Sequence, residues 1–532
     1  MLDRPSRILS TDVLVVGGGP AATWAAATAA RSGARVVLAD KGYCGASGVA
    51  ATAGVGHWLV PPEAALREDA MRARARAGGG LTDRGWQLRV LDETWQRLSE
   101  LPALGYPKSL DDRRRPVFRV GQAPEYLKFM RGYAQRAGVG ILDHSPVLEL
   151  LTHDGELKGA RGLELNSGAS YEVRAGAVVL ATGGCTWKSK SLGGNVNTGD
   201  GQLLAAELGV ALSGMEFSGF YGIVPKGTTM DKNGYYGFAS FTREDGSPVE
   251  GNMFVSRVPL LRASLEGQLY ARFDRAPREQ WPTMRAAMPN FFMVMEKLRC
   301  DPFTERFAID FVLEGTVRGT GGLRLVDATC STGVPGLYAA GDVASRELLV
   351  GGATGAGAPN AAWAVSSGVW AGRAAAEYAR RHPSDVSATV AGSGRVGLRP
   401  TAKSAEPSAW RELLRAIQAE ILPIEKNALR THDGLSRALV GLESALSDAR
   451  AHLHGTGRDL VRARETAAML AMARWAYASA LARNESRAMH TRLDFPATDP
   501  EQQHRILCRG TEQIEISVDP RSPVPAEGWL AA

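Results

Sequence analysis

Histidine is missing from the whole middle of this chain: none occurs between His153 and His382. Proton transfer in that stretch falls to other side chains. Cysteine is also sparse. The five thiols, Cys44, Cys185, Cys300, Cys330 and Cys508, lie far apart and form no CxxC, which argues against a zinc site and against an iron–sulfur cluster held by the chain itself. They read as reduced thiols of a cytoplasmic protein. No run approaches the roughly 18 uninterrupted apolar residues of a membrane span, and residues 1–12 lack the apolar core of a secretory signal. No membrane span is expected. Charge of one sign is not concentrated either: Lys+Arg total 62 against Asp+Glu 56, a net +6 with the signs interspersed. The densest basic run, Asp111-Asp112-Arg113-Arg114-Arg115, is short and includes two acids, so no nucleic-acid partner is expected.

What remains is an ordinary globular composition, 44% apolar and 22% charged over 532 residues, too long for one core and without internal repeats. Val13-Leu14-Val15-Val16 is a buried-strand run. Glycines follow, then an Ala-rich helical stretch from Ala21 to Ser32, then a second strand, Arg35 to Asp40. Strand, helix and strand in about thirty residues open a doubly wound sheet. Between Pro146 and Val173 short alternating segments separated by Asp154-Gly155 and Asn166-Ser167-Gly168 predict an antiparallel meander. Two more buried strands, 177–184 and 336–342, each end in a small-residue turn. The predicted organisation is a dinucleotide domain in two parts, 1–217 and 320–382, with a capping domain inserted at 218–319. A Pro/Gly/Ser-rich linker at 383–407 and a C-terminal helical domain and tail at 408–532 complete it.

Gly17-Gly18-Gly19-Pro20-Ala21-Ala22 sits between strand and helix. Gly17 permits the tight turn, Gly19 lets backbone approach a pyrophosphate, and Ala22 stands for the usual third glycine. Asp40 ends the second strand, where a carboxylate accepts hydrogen bonds from a ribose diol and repels a 2′-phosphate.

Here the residues resemble the flavoprotein subunit family of succinate dehydrogenase, fumarate reductase and L-aspartate oxidase. Lys41 to Gly54 resembles the family loop that crosses the pyrophosphate and runs beneath the isoalloxazine, with Lys41, Ser47, Thr52, Ala53 and Gly54 as contacts. Thr198-Gly199-Asp200-Gly201 and Met215-Glu216-Phe217 resemble two family signatures. Ala340-Gly341-Asp342 resembles the strand whose acid contacts the ribitol, and Gly352 to Ala361, with Asn360 and Ala361, resembles the helix start at the flavin's pyrimidine edge. Val147, Thr182, Gly183 and Asp200 are placed around the same cofactor. Asn484-Glu485-Ser486-Arg487, then Arg492, Asp494, Phe495 and Pro496, resemble the C-terminal signature. The resemblance implies an α/β chain: a glutathione-reductase-like doubly wound FAD domain, an inserted α+β cap and a C-terminal helical domain.

The resemblance breaks at the chemistry. Relatives with covalent FAD carry a histidine where this chain has Ser47 or Gly48, so the FAD is expected to be non-covalent. The family's F-H-P reads Phe220-Tyr221-Gly222, its H-x-T-M-G-G reads Val317-Arg318-Gly319-Thr320-Gly321-Gly322, and its clamping arginine falls near Gly355. Losing these groups removes the electrostatic stabilisation of a C4 dicarboxylate, which argues against succinate, fumarate and aspartate. Tyr221, Arg243, Arg318 and Arg346 are the catalytic candidates, each with packing or surface exposure as its alternative. His57, beside Trp58, reads as a neutral histidine in a partly buried setting.

The expectation is an enzyme, an FAD-dependent dehydrogenase, oxidase or reductase exchanging a hydride between flavin N5 and a small organic substrate. Its electron acceptor is left open among dioxygen, quinone, nicotinamide and a partner protein. The alternative is a flavin-carrying electron-transfer subunit with a separate iron–sulfur partner, resembling the alpha subunit of adenylylsulfate reductase.

Overall fold

The computed structural model describes residues 5–53, 56–106, 109–110, 116–117, 123–252, 257–354, 358–401 and 409–521. Gly54 and Gly355 lie outside the described residues.

Strand β1 (Arg7–Val16) carries the apolar run at its C-terminal end, where Val13, Leu14 and Val15 are wholly buried. Sheet on both sides and helices on both faces explain a run with no alternation. β1 pairs in parallel with β2 (Val36–Ala39) and with the long strand Ser170–Leu180. Gly140–Leu142 and Leu337–Ala339 extend the parallel core at its two ends. Ser170–Leu180 belongs to two layers of pairing. Its first half pairs antiparallel with Glu156–Leu163, and that strand with Val147–His153, giving the meander. Its last residues, Val178 to Leu180, pair with Leu337–Ala339. The strand ends at 16–17, 39–40, 181–183 and 340–342 thereby meet at one edge, where ligands of doubly wound sheets bind.

Helix α1 (Pro20–Arg31) packs along the helix Ala358–Arg381 at backbone distance. A Cβ added at Gly368 meets the Ala21 carbonyl oxygen at 2.6 Å, and one at Gly372 meets that of Ala25 at 2.3 Å. Alanine on one helix and glycine on the other are what this approach requires.

The segment that leaves at Phe217 and returns at Thr320 forms a separate antiparallel sheet of five strands, in the order Tyr221–Pro225, Phe307–Leu313, Leu269–Arg272, Ser240–Thr242, Pro248–Val249. Its aromatic and Met-rich character is core. Tyr236, Phe273, Phe291, Phe303 and Phe307 pack around Met284 and Met295, whereas Met293 is half exposed. Departure and return lie side by side: Thr320 N donates to Phe217 O at 3.1 Å.

Two sequence expectations are corrected. The segment read as a linker contributes Ala391–Gly392, which pairs antiparallel with Leu151 and Thr152 and adds an edge strand to the main sheet. Strand pairing uses backbone N–H and C=O groups, so a polar segment without alternation can still make it. The C-terminal region is helical over Ala409–Ile421, His432–His452 and Arg458–Ala482. Its end, however, is not a tail: Ile506–Arg509 pairs with Leu212–Ser213 and with Glu515–Val518. The helix Arg458–Ala482 is buried along almost its whole length, inside the molecule rather than beside it.

Gly372→Ala is expected to destabilise the protein by about 1–3 kcal/mol, because the methyl overpacks a backbone contact. Gly234→Ala, where an added Cβ meets nothing within 4 Å, is the control. A thermal midpoint lowered in the first variant and unchanged in the second is the expected result; equal midpoints refute the close contact.

Candidate functional site

The glycine turn after β1 is built by contact. Gly17 has φ +121, and a Cβ on it meets the Ala181 carbonyl oxygen at 2.2 Å; one on Gly18 meets Asp40 Oδ2 at 2.3 Å. An added Cβ on Gly19 meets nothing within 4 Å. It is the N-cap of α1, has no side chain to satisfy the helix's first N–H groups, and is followed by Pro20 at the first helical position. Open backbone donors at a helix start suit an anionic group.

This turn forms part of a cleft enclosing about 1420 Å³, its open mouth included. At one end stand Asp40, Ser47 and Val147. Asp40 is buried, which pushes its carboxyl above the ordinary range, while Ser47 Oγ donates to it at 3.0 Å and opposes that rise. Lys41 follows. Burial disfavours its ammonium, but the carboxylates of Asp200 at 2.6 Å and Glu465 at 2.7 Å outweigh this and raise its pKa. Thr198 Oγ1 takes its third N–H at 2.7 Å, and Glu465 also holds Lys188 at 2.6 Å.

Along the middle lie Thr182, Gly183, Asn197, Asp342 and Asn360. Among the described residues, Thr182 Oγ1 and Asn360 Oδ1 are buried without a hydrogen-bond partner. Burial raises the Asp342 carboxyl, with Arg346 and Arg318 opposing. The other end is charged. Lys232, Val317 and Arg318 line it, and Lys232 Nζ donates to Asp231 Oδ2 at 2.8 Å and Glu314 Oε2 at 2.5 Å. Arg318 Nε stands 3.4 Å from Glu314 Oε2. Arg257 lies over the Phe220 ring at 4.5 Å. It is partly exposed overall, yet among the described residues its Nη1 is enclosed and without a hydrogen-bond partner. Burial drops the pKa of Arg257 to about 10, with Glu314 opposing.

Most of the residues singled out for the cofactor line this one cleft: Gly17, Gly19, Pro20, Ala21, Asp40, Lys41, Ser47, Ala53, Val147, Thr182, Gly183, Asp200, Asp342, Asn360 and Ala361. Two do not. Ala22 is wholly buried within α1, and Thr52 Oγ1 is committed to the carbonyls of Val49 and Leu192.

Of the four catalytic candidates only Arg318 lines the cleft. Tyr221 is 2% exposed, and its hydroxyl hydrogen-bonds the carbonyls of Leu422 at 2.9 Å and Pro423 at 3.1 Å. It ties the cap's first strand to the C-terminal helices, and burial holds its pKa far above the ordinary value. Arg243 is on the far hairpin of the cap, partly exposed and ion-paired to Glu266 at 2.8 Å. Arg346 is fully buried behind Asp342, which it holds at 2.5 Å, and it also donates to the Thr316 carbonyl at 2.6 Å. Among the described residues His57 has no hydrogen-bond partner on either ring nitrogen, and burial lowers its pKa to about 3, leaving it neutral. Sequence reasoning missed Lys232 and Asn197, which line the cleft, and Arg257, which does not line it but lies over the Phe220 ring that Arg318 also meets. The only sequence signal for Lys232 and Arg257 is cationic residues within an inserted, aromatic-rich segment, and many surface arginines share it.

Comparison with known proteins bears on the identity of the ligand. The FAD binding domain family matches residues 12–230, and the fumarate reductase flavoprotein C-terminal family matches 421–524. The chain thus carries an FAD binding domain and a fumarate reductase flavoprotein C-terminal region. L-aspartate oxidase of Mycobacterium tuberculosis is 27% identical, over 94% of this chain and 96% of that one. Among solved structures, FrdA of E. coli quinol fumarate reductase superposes with a TM-score of 0.79 at 19% identity, covering 98% of this chain and 99% of the other. Adenylylsulfate reductase from Archaeoglobus fulgidus gives 0.76 at 17%, with 98% and 97% covered. The chain is an FAD-dependent oxidoreductase, and its cleft fits the cofactor: an uncapped helix start for the pyrophosphate, a carboxylate at the end of β2, and unpartnered Thr182 and Asn360 oxygens further along. Among the described residues no helix is long and apolar enough to cross a membrane.

Two outcomes follow from this geometry. Asp40→Ala is expected to weaken FAD binding by about 1–3 kcal/mol, since a buried ribose hydroxyl loses its acceptor; unchanged affinity in a flavin titration places the ribose elsewhere. Tyr221→Phe is expected to cost about 0.5–1.5 kcal/mol of stability, the value of a lost hydrogen bond, while FAD content and turnover stay at the parent level. A variant of parental stability but impaired turnover returns Tyr221 to the catalytic set.

Proposed function

We propose that this chain exchanges a hydride between non-covalent FAD and a small organic acid other than succinate, fumarate or aspartate, held where the cap meets the sheet domain. One observation carries the reading: among the described residues Arg257 has no hydrogen bond and no ion pair, although its guanidinium Nη1 is enclosed. An unpaired cation withdrawn from water is costly. A substrate carboxylate, or an equivalent acidic group, brings the missing partner.

Bound FAD supplies the hydride chemistry. The chain's part is to orient and exclude water. Asp40, Lys41 and the start of α1 anchor the nucleotide half, Asp342 and Asn360 follow along the cleft, and Arg318 presents a second cation beside Glu314. Arg257 remains protonated at neutral pH with a pKa of about 10, so it serves as an electrostatic anchor for developing negative charge. The histidines used by dicarboxylate-handling relatives have no counterparts at 221 and 317, nor has the clamping arginine near Gly355, which is why the reading leaves out succinate, fumarate and aspartate.

Acid or heat precipitation is expected to release all the flavin into the supernatant; yellow precipitate refutes the non-covalent assignment. A screen of organic acids that follows bleaching of the flavin absorbance, run with and without air, identifies the substrate and tells a dioxygen-linked oxidase from a chain that needs another acceptor. With that substrate, Arg257→Met is expected to lose about 2–5 kcal/mol of transition-state binding, roughly 30-fold or more in kcat/KM, with FAD content unchanged. A parental kcat/KM removes Arg257 from the site.

A further inference from the structure

Lys232 lines the cleft but is not free to serve a substrate. Its ammonium is buried and donates to Asp231 Oδ2 at 2.8 Å, Glu314 Oε2 at 2.5 Å and Ser191 Oγ at 3.1 Å. Three acceptors use the three N–H bonds an ammonium has. The cluster joins separate parts of the chain. Ser191 belongs to the loop after the strand Ser170–Leu180, and its Oγ also donates to Asp231 Oδ2 at 2.5 Å, while Leu192 N donates to Asp231 Oδ1 at 3.3 Å. Glu314 directly follows the cap strand Phe307–Leu313, held by its own N–H to Phe220 O at 2.8 Å. Its Oε1 has no partner and lies where a Cβ on Gly222 is only 2.4 Å away. Facing the cluster are Arg318 and Arg257 on Glu314 and, beyond Arg318, the Asp342–Arg346 pair.

The acid at the end of β2 assigns the ADP half of the cofactor to the Asp40 end, which leaves the isoalloxazine for the end formed by Lys232, Val317 and Arg318. Taking up two electrons and one proton adds negative charge to the ring system. Charges fixed in a water-poor site act strongly on that change. We propose that the buried Lys232–Asp231–Glu314 cluster sets the reduction potential of the bound FAD, with the Lys232 ammonium raising it and the Glu314 carboxylate lowering it. Lys232 is thus a positioning and tuning residue, distinct from the substrate anchor Arg257. This inference rests on FAD binding in the proposed orientation, not on the nature of the organic substrate.

The test measures midpoint potentials of the FAD-loaded, full-length protein by equilibrium reduction against a reference dye. Lys232→Met is expected to shift the reduction equilibrium at least tenfold toward oxidised flavin, about 30 mV downward for a two-electron couple. Glu314→Gln is expected to shift it upward, and Lys232→Arg to stay near the parent. Potentials of Lys232→Met and Glu314→Gln that both match the parent, or that move in the same direction, overturn the proposal. Should Lys232→Met fail to retain FAD, Glu314→Gln decides alone: an upward shift supports the proposal, and no shift or a downward one refutes it. No organic substrate enters the measurement, so its outcome and that of the substrate screen fail independently.

Discussion

A helix that begins without a cap organises this molecule. Gly19 leaves the first N–H groups of α1 unsatisfied by any side chain, and such groups must find a partner in a ligand or in water. Their position is fixed by contacts that leave no room for side chains. Gly17 touches the Ala181 carbonyl, Gly18 touches Asp40, and the far side of α1 lies backbone to backbone against the helix Ala358–Arg381. Each neighbour brings its own part of the cleft: the strand before Ala181 delivers Thr182 and Gly183, β2 delivers Asp40, and the helix Ala358–Arg381 begins with Asn360 and Ala361. The cofactor cradle is therefore a property of sheet and helix packing, not of a detachable loop.

The parts of the cradle that sit at strand ends were legible in the sequence because those ends carry strong local signals. Unbroken apolar runs at 13–16 and 177–180, glycines beside them and an acid after β2 announce a parallel strand end wherever they occur. The meander at 146–173 was legible for a similar reason, since Asp154-Gly155 and Asn166-Ser167-Gly168 are turn chemistry. The edge strand Ala391–Gly392 and the strand Ile506–Arg509 were not, because pairing with a distant partner leaves little trace in two to four residues.

The charged end of the cleft was not legible because its residues are brought together only by the cap's return. Lys232, Arg257 and Glu314 are far apart in sequence and carry no motif; Glu314 Oε2 and Lys232 Nζ meet at 2.5 Å because Tyr221–Pro225 and Phe307–Leu313 are paired. Tyr221 illustrates the opposite error. Its spacing after Met215-Glu216-Phe217 placed it where relatives carry a histidine, yet its hydroxyl turns to the main chain at 422–423. A phenol is longer than an imidazole and, once buried, requires a partner of its own, which the C-terminal helices supply. Spacing carries no information on the direction of the side chain.

Lys41 carries one more consequence. Its three N–H bonds go to Thr198, Asp200 and Glu465, and the last of these belongs to the helix Arg458–Ala482. A residue beside the nucleotide is thus completed by one more than four hundred positions later. A ribosome making this chain releases β1, α1 and β2 long before Glu465 emerges, and during that interval Lys41 lacks one of its two carboxylates. Full assembly of the nucleotide cradle is therefore a late event in synthesis, and a chain truncated before the helix Arg458–Ala482 carries the fingerprint of a dinucleotide site without its finished electrostatics.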